Sequence, residues 1–177
     1  RYPETRRAKA KPAMIYDPSF SACFTGHRNL EGAPLDLLVS ALELRIRNLY
    51  ERGITHFYAG GALGFDMLAS VTLLNLKNEL PGLTLSIVLP CRGHTKGWSP
   101  ADVALFERIS ARADETLCLA DTYRPGCMSA RNRYMVERSS VCLCYLIYAT
   151  GGTAYTVGYA RRRGLLIVNL AKELYMP

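Results

Sequence analysis

The stretch that decides the fold is His56-Phe57-Tyr58-Ala59-Gly60-Gly61-Ala62-Leu63-Gly64-Phe65-Asp66. Its first four residues have the length and apolar character of a buried strand. The apolar residues that follow recur at helical spacing as far as about Leu80, and Pro81-Gly82 then ends the helix. A strand, a glycine-rich turn and a helix in this order predict a βα unit.

The same order of elements recurs on both sides of this unit, although the sequence itself has no internal repeat. Apolar runs of strand length alternate with segments of helical period, and turn residues separate nearly all of them. This alternation predicts an α/β fold, namely a single Rossmann-like, doubly wound, mainly parallel sheet with helices on both faces. The predicted strands cover residues 20–24, 56–59, 83–89, 115–120, 141–148 and 165–170.

Length and composition favour one domain. The chain has 177 residues, 49% of them hydrophobic and 21% charged, and it has no apolar run long enough to cross a bilayer. The formal net charge is +7, to which residues 1–12 contribute +4 through five Lys/Arg and one Glu. We expect residues 1–13 to form a flexible basic leader and residues 14–177 to form the folded domain. Because the body is only mildly basic, we expect no nucleic-acid partner.

The cysteines bear on the redox compartment. Four of the six lie in apolar, strand-like runs, so we expect reduced, buried thiols and no metal site. No secretion signal is recognisable, and we expect a cytoplasmic location, although the chain begins at Arg1 and an upstream segment could have been removed. The four cysteines are Cys23, Cys118, Cys142 and Cys144.

Unusual residues follow the ends of several predicted strands. In an open parallel sheet these ends meet at one edge, where ligands bind close to helix N-termini. Glycines there allow the backbone to approach phosphate oxygens, while hydroxyls and arginines add donors. A βα turn can also use glycine merely to turn, and the pattern lacks the lysine of a P-loop. The candidate binding residues are Thr25, Gly26, His27, Arg28, Gly60, Gly61, Ala62, Gly64, Asp66, Arg92, Arg131, Asn132, Thr150, Gly151, Gly152 and Thr153.

Several of these side chains have two interpretations. Asp66 either caps its helix or holds a ribose hydroxyl or base edge. Arg28 either pairs with phosphate or is an ordinary surface arginine, and His27 either donates a hydrogen bond or packs. Arg131 either reaches the crevice, together with Asn132, or forms a salt bridge.

Two loop aromatics lie at the same predicted edge of the sheet. Trp98 and Tyr123 could each stack on a base, although loop aromatics often only cover the core.

The chain contains four sequence motifs that together resemble those of a known family. The resemblance spans about Ser21 to Leu170. The motifs resemble the YpsA-like branch of the SLOG superfamily, which is named after the DNA-processing protein Smf/DprA and the cytokinin-activating LOG enzymes. The resemblance implies a Rossmann-like domain that binds nucleotides or their derivatives, and relatives that self-associate make a homodimer an expectation. The motifs are Cys23 to Arg28, Gly60 to Asp66, Arg131 to Val136, and Gly151-Gly152-Thr153.

The last loop departs from the LOG pattern Pro-Gly-Gly-x-Gly-Thr-x-x-Glu. Aligned on Gly151-Gly152, the chain has Thr150 in place of the proline and Gly158 in place of the glutamate. Cleavage of an N-glycosidic bond needs a carboxylate, and Asp66 is the only acid placed to supply one. The departure disfavours enzyme activity without deciding it, and Asp66 is the one catalytic candidate.

Three functions are therefore compared. The leading hypothesis is a binding or sensor domain for a nucleotide or an ADP-ribose-type derivative, with no other cofactor. The first alternative is a nucleotide or nucleoside-monophosphate hydrolase in which Asp66 is the general acid/base while Arg28 and Arg131 hold phosphate. The second is a DprA-like nucleic-acid-binding protein that uses the basic leader and Arg161-Arg162-Arg163, a charge run that is usually a solvated face.

Overall fold

The computed structural model describes residues 13–175, and the predicted basic leader lies almost wholly outside them. Its centre is one sheet of six parallel strands in the order β4-β3-β2-β1-β5-β6. The chain builds outward from β1 to β4 and then returns to the other side of β1, so the strand order reverses between β1 and β5. The strands are β1 (Ser21–Gly26), β2 (His56–Ala59), β3 (Thr84–Leu89), β4 (Glu115–Cys118), β5 (Val141–Tyr145) and β6 (Leu166–Asn169).

Helices cover both faces of the sheet, which confirms the predicted fold class. Successive strand residues point to opposite faces, so Phe24 packs in one buried cluster while Cys23 packs in the other. The larger cluster lies under α1, α2, α3 and α6, and the smaller one lies under α4 and α5. The helices are α1 (Leu35–Glu51), α2 (Phe65–Leu76), α3 (Pro100–Arg112), α4 (Cys127–Glu137), α5 (Gly152–Arg162) and α6 (Leu170–Tyr175).

Residues close to the ends of helices and strands explain some of the element boundaries, whereas other boundaries differ from the predicted ones. The Ser99 side chain accepts the Asp102 N–H, and Pro100 is the first residue of α3, a combination typical of helix starts. The fifth strand ends at Tyr145, earlier than predicted, and the short helix α6 was not predicted at all.

One expectation about the thiols is wrong. Cys118 is exposed, whereas Cys23, Cys142 and Cys144 are buried. It lies on β4, which forms an edge of the sheet and alternates between half-buried and exposed residues. Within residues 13–175, no helix is long and apolar enough to cross a membrane.

Candidate functional site

Two adjoining cavities open at the carboxyl edge of the sheet. The smaller, of about 290 Å³, lies beside the reversal of strand order and is lined by the end of β1 and by the N-terminus of α5, the helix that follows β5. The larger, of about 620 Å³, extends past the ends of β2 and β3. Both are lined by Arg28, Ala62, Met128 and Arg131, so they form neighbouring parts of one crevice. The crevice is at the position where ligands bind in sheets of this topology.

Most of the candidate residues line this crevice. Ten of the candidates line the smaller cavity, and three more, Gly60, Gly61 and Arg92, line only the larger one. Gly64, Thr150 and Gly151 line neither cavity, although each adjoins a residue or loop that does. The ten residues at the smaller cavity are Thr25, Gly26, His27, Arg28, Ala62, Asp66, Arg131, Asn132, Gly152 and Thr153.

Close packing explains two of the glycines in this group. A Cβ on Gly26 would lie 2.5 Å from Cβ of Phe65, so a side chain there would push α2 away from β1. Gly64 has φ of +79°, and a Cβ there would lie 2.6 Å from the carbonyl oxygen of His27. The Phe65 N–H also donates to that oxygen at 3.1 Å. These two glycines let the loops after β1 and β2 touch, and packing alone requires them.

Gly60 is held from both sides by charged groups. Its N–H donates to Oδ2 of Asp66 at 3.0 Å, and its carbonyl oxygen accepts a hydrogen bond from Nη1 of Arg131. Arg131 is only 5% exposed, and its Nε donates to Oδ1 of Asn132 at 2.7 Å. This Asp66–Gly60–Arg131 clamp joins α2, the end of β2 and α4.

The clamp shows that Asp66 does not cap its own helix, because its carboxylate accepts the N–H of Gly60 at the end of β2 and no side-chain cap is present on α2 among residues 13–175. Burial raises the pKa of this carboxyl, while the positive charge of Arg131 and the Gly60 N–H act in the opposite direction. The carboxylate is thus engaged with the protein's own backbone, even though it lies against the smaller cavity. Asp66 and Arg131 orient the backbone at the end of β2.

His27 connects the loops after β1 and β5. Its Nε2 accepts the N–H of Ile147 at 2.9 Å and that of Tyr148 at 3.4 Å. Burial lowers the pKa of the imidazole, so the neutral form that can accept these bonds is favoured. The packing interpretation is supported, because the His27 ring lies 5.0 Å from the ring of Tyr148. In these two hydrogen bonds His27 accepts and does not donate, and it thereby positions the loop leading to α5.

The N-terminus of α5 differs from the other glycine-rich turns. Gly152 is its first residue, lines the smaller cavity and has no atom within 4 Å of where a Cβ would be. No side chain caps this helix within residues 13–175, and the first N–H groups of a helix have no partner inside it. Thr156 accepts from Nδ2 of Asn132 at 2.8 Å, which joins this end of α5 to the clamp through α4. Because Gly152 has no side chain, this part of the crevice stays open.

Positive charge prevails around the crevice. Arg28, Arg92, Lys96 and Arg131 line one or both cavities, and among residues 13–175 Asp66 is the only acidic residue that does. Arg92 pairs with Asp121 at 3.0 Å. The exposed Arg28 lies between the two cavities with no carboxylate within 4.0 Å among residues 13–175. The arrangement favours an anionic ligand.

The larger cavity contains residues that sequence reasoning missed. The loop after β3 supplies Pro90, Cys91, His94 and Lys96, and α4 supplies Met128. In the sequence, the only sign that His94 belongs to a site is that it is a polar residue in the loop after a predicted strand. Its Nε2 is buried without a hydrogen-bond partner in the described part of the chain, and burial lowers its pKa.

The two aromatic candidates, Tyr123 and Trp98, lie in different surroundings. Tyr123 lines the larger cavity and is 70% exposed, so its ring is accessible to a ligand. Trp98 instead packs on Phe106, with ring centroids 6.1 Å apart, and covers the core. Among residues 13–175 no group of three or more His, Cys, Asp or Glu side chains could hold a metal ion.

Comparisons with known proteins agree with this architecture. The UPF0398 protein of Bacillus velezensis is 26% identical over 126 residues, which are 70% of this chain and 69% of that protein. The UPF0398 protein YpsA of Bacillus subtilis is 24% identical over 128 residues, 70% of each chain.

Solved structures show the same fold. DNA processing protein A from Helicobacter pylori superposes with a TM-score of 0.58 and 19% identity, over 85% of this chain and 64% of that one. The structure of TM1055 has a TM-score of 0.52 and 16% identity, over 89% of this chain and 81% of that one. The chain therefore spans somewhat less than two thirds of the Helicobacter protein. The YpsA family model, described as the YspA SLOG family, matches residues 23–162. The chain belongs to the YpsA family of the SLOG superfamily.

Proposed function

We propose that this protein binds a nucleotide or a nucleotide derivative of the ADP-ribose type and acts as a binding or sensor domain. In this proposal the phosphate lies in the smaller cavity, against the N-terminus of α5 and Arg28. The base lies in the larger cavity, where Tyr123 can stack on it.

The charge and the shape of the crevice support the proposal. A helix N-terminus and an arginine together favour a phosphate, which both groups can reach with hydrogen-bond donors. The larger cavity, at about 620 Å³, has the volume of a typical small-molecule site and combines apolar and aromatic walls with a few polar groups.

Gly152 is the observation that carries the proposal. Gly26 and Gly64 are required by contacts inside the protein, so they are uninformative about a ligand. A side chain at Gly152 would meet nothing within 4 Å, and its φ lies outside the range that favours glycine. Gly158 on the same helix is equally free of close contacts but lies away from the crevice, so the position of Gly152 on the cavity wall is what supports the close approach of a ligand to its backbone.

Hydrolysis has less support. The one carboxylate that the described part of the chain places at the crevice, that of Asp66, accepts the Gly60 N–H and is influenced by the charge of Arg131. These interactions oppose a role as general acid or base. We therefore propose binding without turnover. We also place the protein in the cytoplasm, because its six cysteines are free thiols and reducing compartments maintain that state.

The test compares two alanine variants on the same helix. Gly152→Ala adds a methyl group to the smaller cavity, whereas Gly158→Ala adds one in mid-helix, where the nearest atom is Nη1 of Arg162 at 3.5 Å. Both changes should leave the melting temperature equal or higher, because alanine favours helix over glycine by up to about 1 kcal/mol. Isothermal titration against nucleoside mono- and diphosphates and ADP-ribose should show binding to the parent and to Gly158→Ala, and at least about tenfold weaker binding to Gly152→Ala.

Two further samples complete the design. Arg28→Ala should lose affinity, whereas Arg108→Ala, which removes an exposed arginine on α3, should not. Chromatography of the titrated samples would detect released base or ribose phosphate. Absence of binding to the parent, or equal affinity of Gly152→Ala and the parent, would overturn the proposed site.

A further inference from the structure

Two cysteines lie at the wall between the larger cavity of the crevice and a third cavity beside it. Cys91 follows β3 and lines the larger cavity, whereas Cys127 begins α4 and lines the third cavity, of about 360 Å³. Each is next in sequence to a residue on the other's side. Pro90 lines the third cavity as well as the larger one, and Met128 lines the larger one. We call Cys91 and Cys127 the thiol pair.

The two side chains of the thiol pair adjoin across this wall. Burial raises the pKa of the Cys91 thiol, and the neighbouring Cys127 thiol raises it further by its charge and by hydrogen bonding. Two sulfur atoms that meet in this way need to move by only about 1–2 Å to reach the length of a disulfide bond, about 2.05 Å. Cys91 lies in a loop, which can adjust by such a distance more easily than a strand.

Cys127 has the surroundings of an attacking thiol. It is the first residue of α4, a helix without a side-chain cap among residues 13–175, and Arg131 follows one turn later. A helix N-terminus and a nearby positive charge both stabilise a thiolate. Burial lowers the pKa of Arg131, while Asp66 and Cys127 act in the opposite direction, so the arginine and this thiol interact. Cys91 holds its proton more tightly and suits the second role, that of the resolving thiol.

Access distinguishes the thiol pair from the other neighbouring thiols. Cys127 is 8% exposed and Cys91 is 3% exposed, and each lies on a cavity wall that a small molecule can reach. A second group of neighbouring thiols, on β1 and β5, is at most 1% exposed and, within residues 13–175, lines neither cavity of the crevice. An oxidant in solution therefore reaches the thiol pair first. The core group is Cys23, Cys142 and Cys144.

We propose that Cys91 and Cys127 form a reversible disulfide with a low-molecular-weight disulfide as the oxidant. The Cys127 thiolate attacks one sulfur of the oxidant, whose S–S bond breaks, so that a mixed disulfide forms on Cys127 and one thiolate leaves. The Cys91 thiol then loses its proton to water, and its sulfur attacks Sγ of Cys127 and displaces the second thiolate. Two protein thiols are thereby oxidised to one disulfide, and one molecule of oxidant is reduced to two thiols.

The disulfide acts on the crevice from both of its ends. Cys91 lines the larger cavity, and Met128 and Arg131, which follow Cys127 on α4, line both cavities. A bond that draws the loop after β3 toward the start of α4 displaces this shared wall by about 1–2 Å, which is enough to weaken a fitted ligand. This effect on the crevice rests on the proposed nucleotide site, whereas the disulfide itself does not.

The experiment uses the full chain with Cys118→Ser as its background, because the exposed Cys118 thiol can form a mixed disulfide of its own. Five of the six cysteines remain in this background. The folded protein is incubated with excess oxidised glutathione and unfolded in iodoacetamide, and mass spectrometry of unreduced peptides locates free thiols, adducts and cross-links. Cys91→Ser and Cys127→Ser on this background each remove one member of the pair, and Cys142→Ala removes a core thiol as the matched control. Thermal melts establish that each variant is folded.

The background protein should lose two of its five thiols to one cross-link between Cys91 and Cys127, and dithiothreitol should restore both. Cys142→Ala should form the same cross-link. Cys91→Ser should stop at one glutathione adduct on Cys127, because the resolving thiol is absent, whereas Cys127→Ser should react at least about tenfold more slowly. In the nucleotide titration, oxidation should weaken binding to the background protein at least about threefold and should leave the affinity of Cys127→Ser unchanged.

Retention of all five thiols by the folded background protein would overturn the proposal, and so would a cross-link that joins other cysteines. Equal reaction rates in Cys91→Ser and Cys127→Ser would overturn the assignment of Cys127 as the attacking thiol. A cross-linked protein with unchanged nucleotide affinity would overturn the effect on the crevice. If the cross-link forms and neither redox form binds a nucleotide, the thiol pair is supported and the proposed function fails, so the two results are distinguishable.

Discussion

Replacing His56 with phenylalanine should make the protein less sensitive to acid. His56 is 2% exposed, stacks on Tyr16 with ring centroids 3.3 Å apart, and its Nδ1 is 2.8 Å from Oγ1 of Thr84. Its Nε2 is buried without a partner among residues 13–175. A proton on this ring would place a charge where water cannot solvate it, and burial accordingly lowers the pKa of His56 from its usual 6.5 to about 3.

The size of the effect follows from this difference in pKa. Below about pH 6.5 the unfolded chain binds a proton at His56 that the folded protein does not bind, so acid favours unfolding. The stabilisation is complete above that pH and is lost progressively as the pH falls toward the folded pKa of about 3. Each pH unit in this window removes about 1.4 kcal/mol from the free energy of unfolding, or roughly 3 kcal/mol between pH 6.5 and pH 4.

Urea unfolding of the parent and His56→Phe, followed by circular dichroism at pH 7, 5.5 and 4, measures this contribution. Phenylalanine keeps the stack on Tyr16 and removes the unpartnered nitrogen, and Thr84 still donates to the Thr55 carbonyl at 3.3 Å. The variant should be at least as stable as the parent at pH 7 and should lose roughly 3 kcal/mol less by pH 4. His27 and Asp66 titrate in both proteins, so the comparison cancels them. Parallel pH dependences in the two proteins would refute this explanation.

Two further predictions concern the crevice. Gly64→Ala should lower the free energy of unfolding by about 3 kcal/mol or more, because its Cβ would lie 2.6 Å from the His27 carbonyl oxygen and its backbone would be strained. The control Gly32→Ala, with φ of +76° and no neighbour within 4 Å, should lower it by only about 1–2 kcal/mol in the same urea assay. Arg131→Met should destabilise by about 1–3 kcal/mol, because it leaves the buried Gly60 carbonyl without its side-chain donor and removes the positive charge that favours the Asp66 carboxylate. Arg108→Met, at an exposed position, should stay within about 0.5 kcal/mol of the parent.

Local patterns predicted much of the architecture. The β2 boundaries and the cap at Ser99 follow from residues close together in the chain, so periodicity and turn chemistry identify them. The helix α6 is six residues long and follows β6 directly, which leaves too short a periodic segment to recognise. The exposure of Cys118 depends on β4 lying at the sheet edge, and no local pattern carries that information.

The individual roles of the site residues were less predictable. Thirteen of the sixteen candidate residues line the two cavities, because parallel strands bring their carboxyl ends to one edge. The sequence offered no means of telling Gly64, which packing requires, from Gly152, which faces open space. It also presented His27 as a donor or a packing residue, whereas its acceptor role depends on Ile147, 120 residues away.

The sequence by itself determined the order of strands and helices, the parallel sheet and the edge at which the glycine-rich loops gather. These features depend on periodicity within about ten residues and on the geometry of βα connections. Only the tertiary structure decided that Asp66 and Arg131 clamp Gly60 and that His27 accepts the N–H of Ile147. Such roles arise from contacts such as that between Arg131 and Gly60, 71 residues apart, which form when the sheet brings separate loops and helices together.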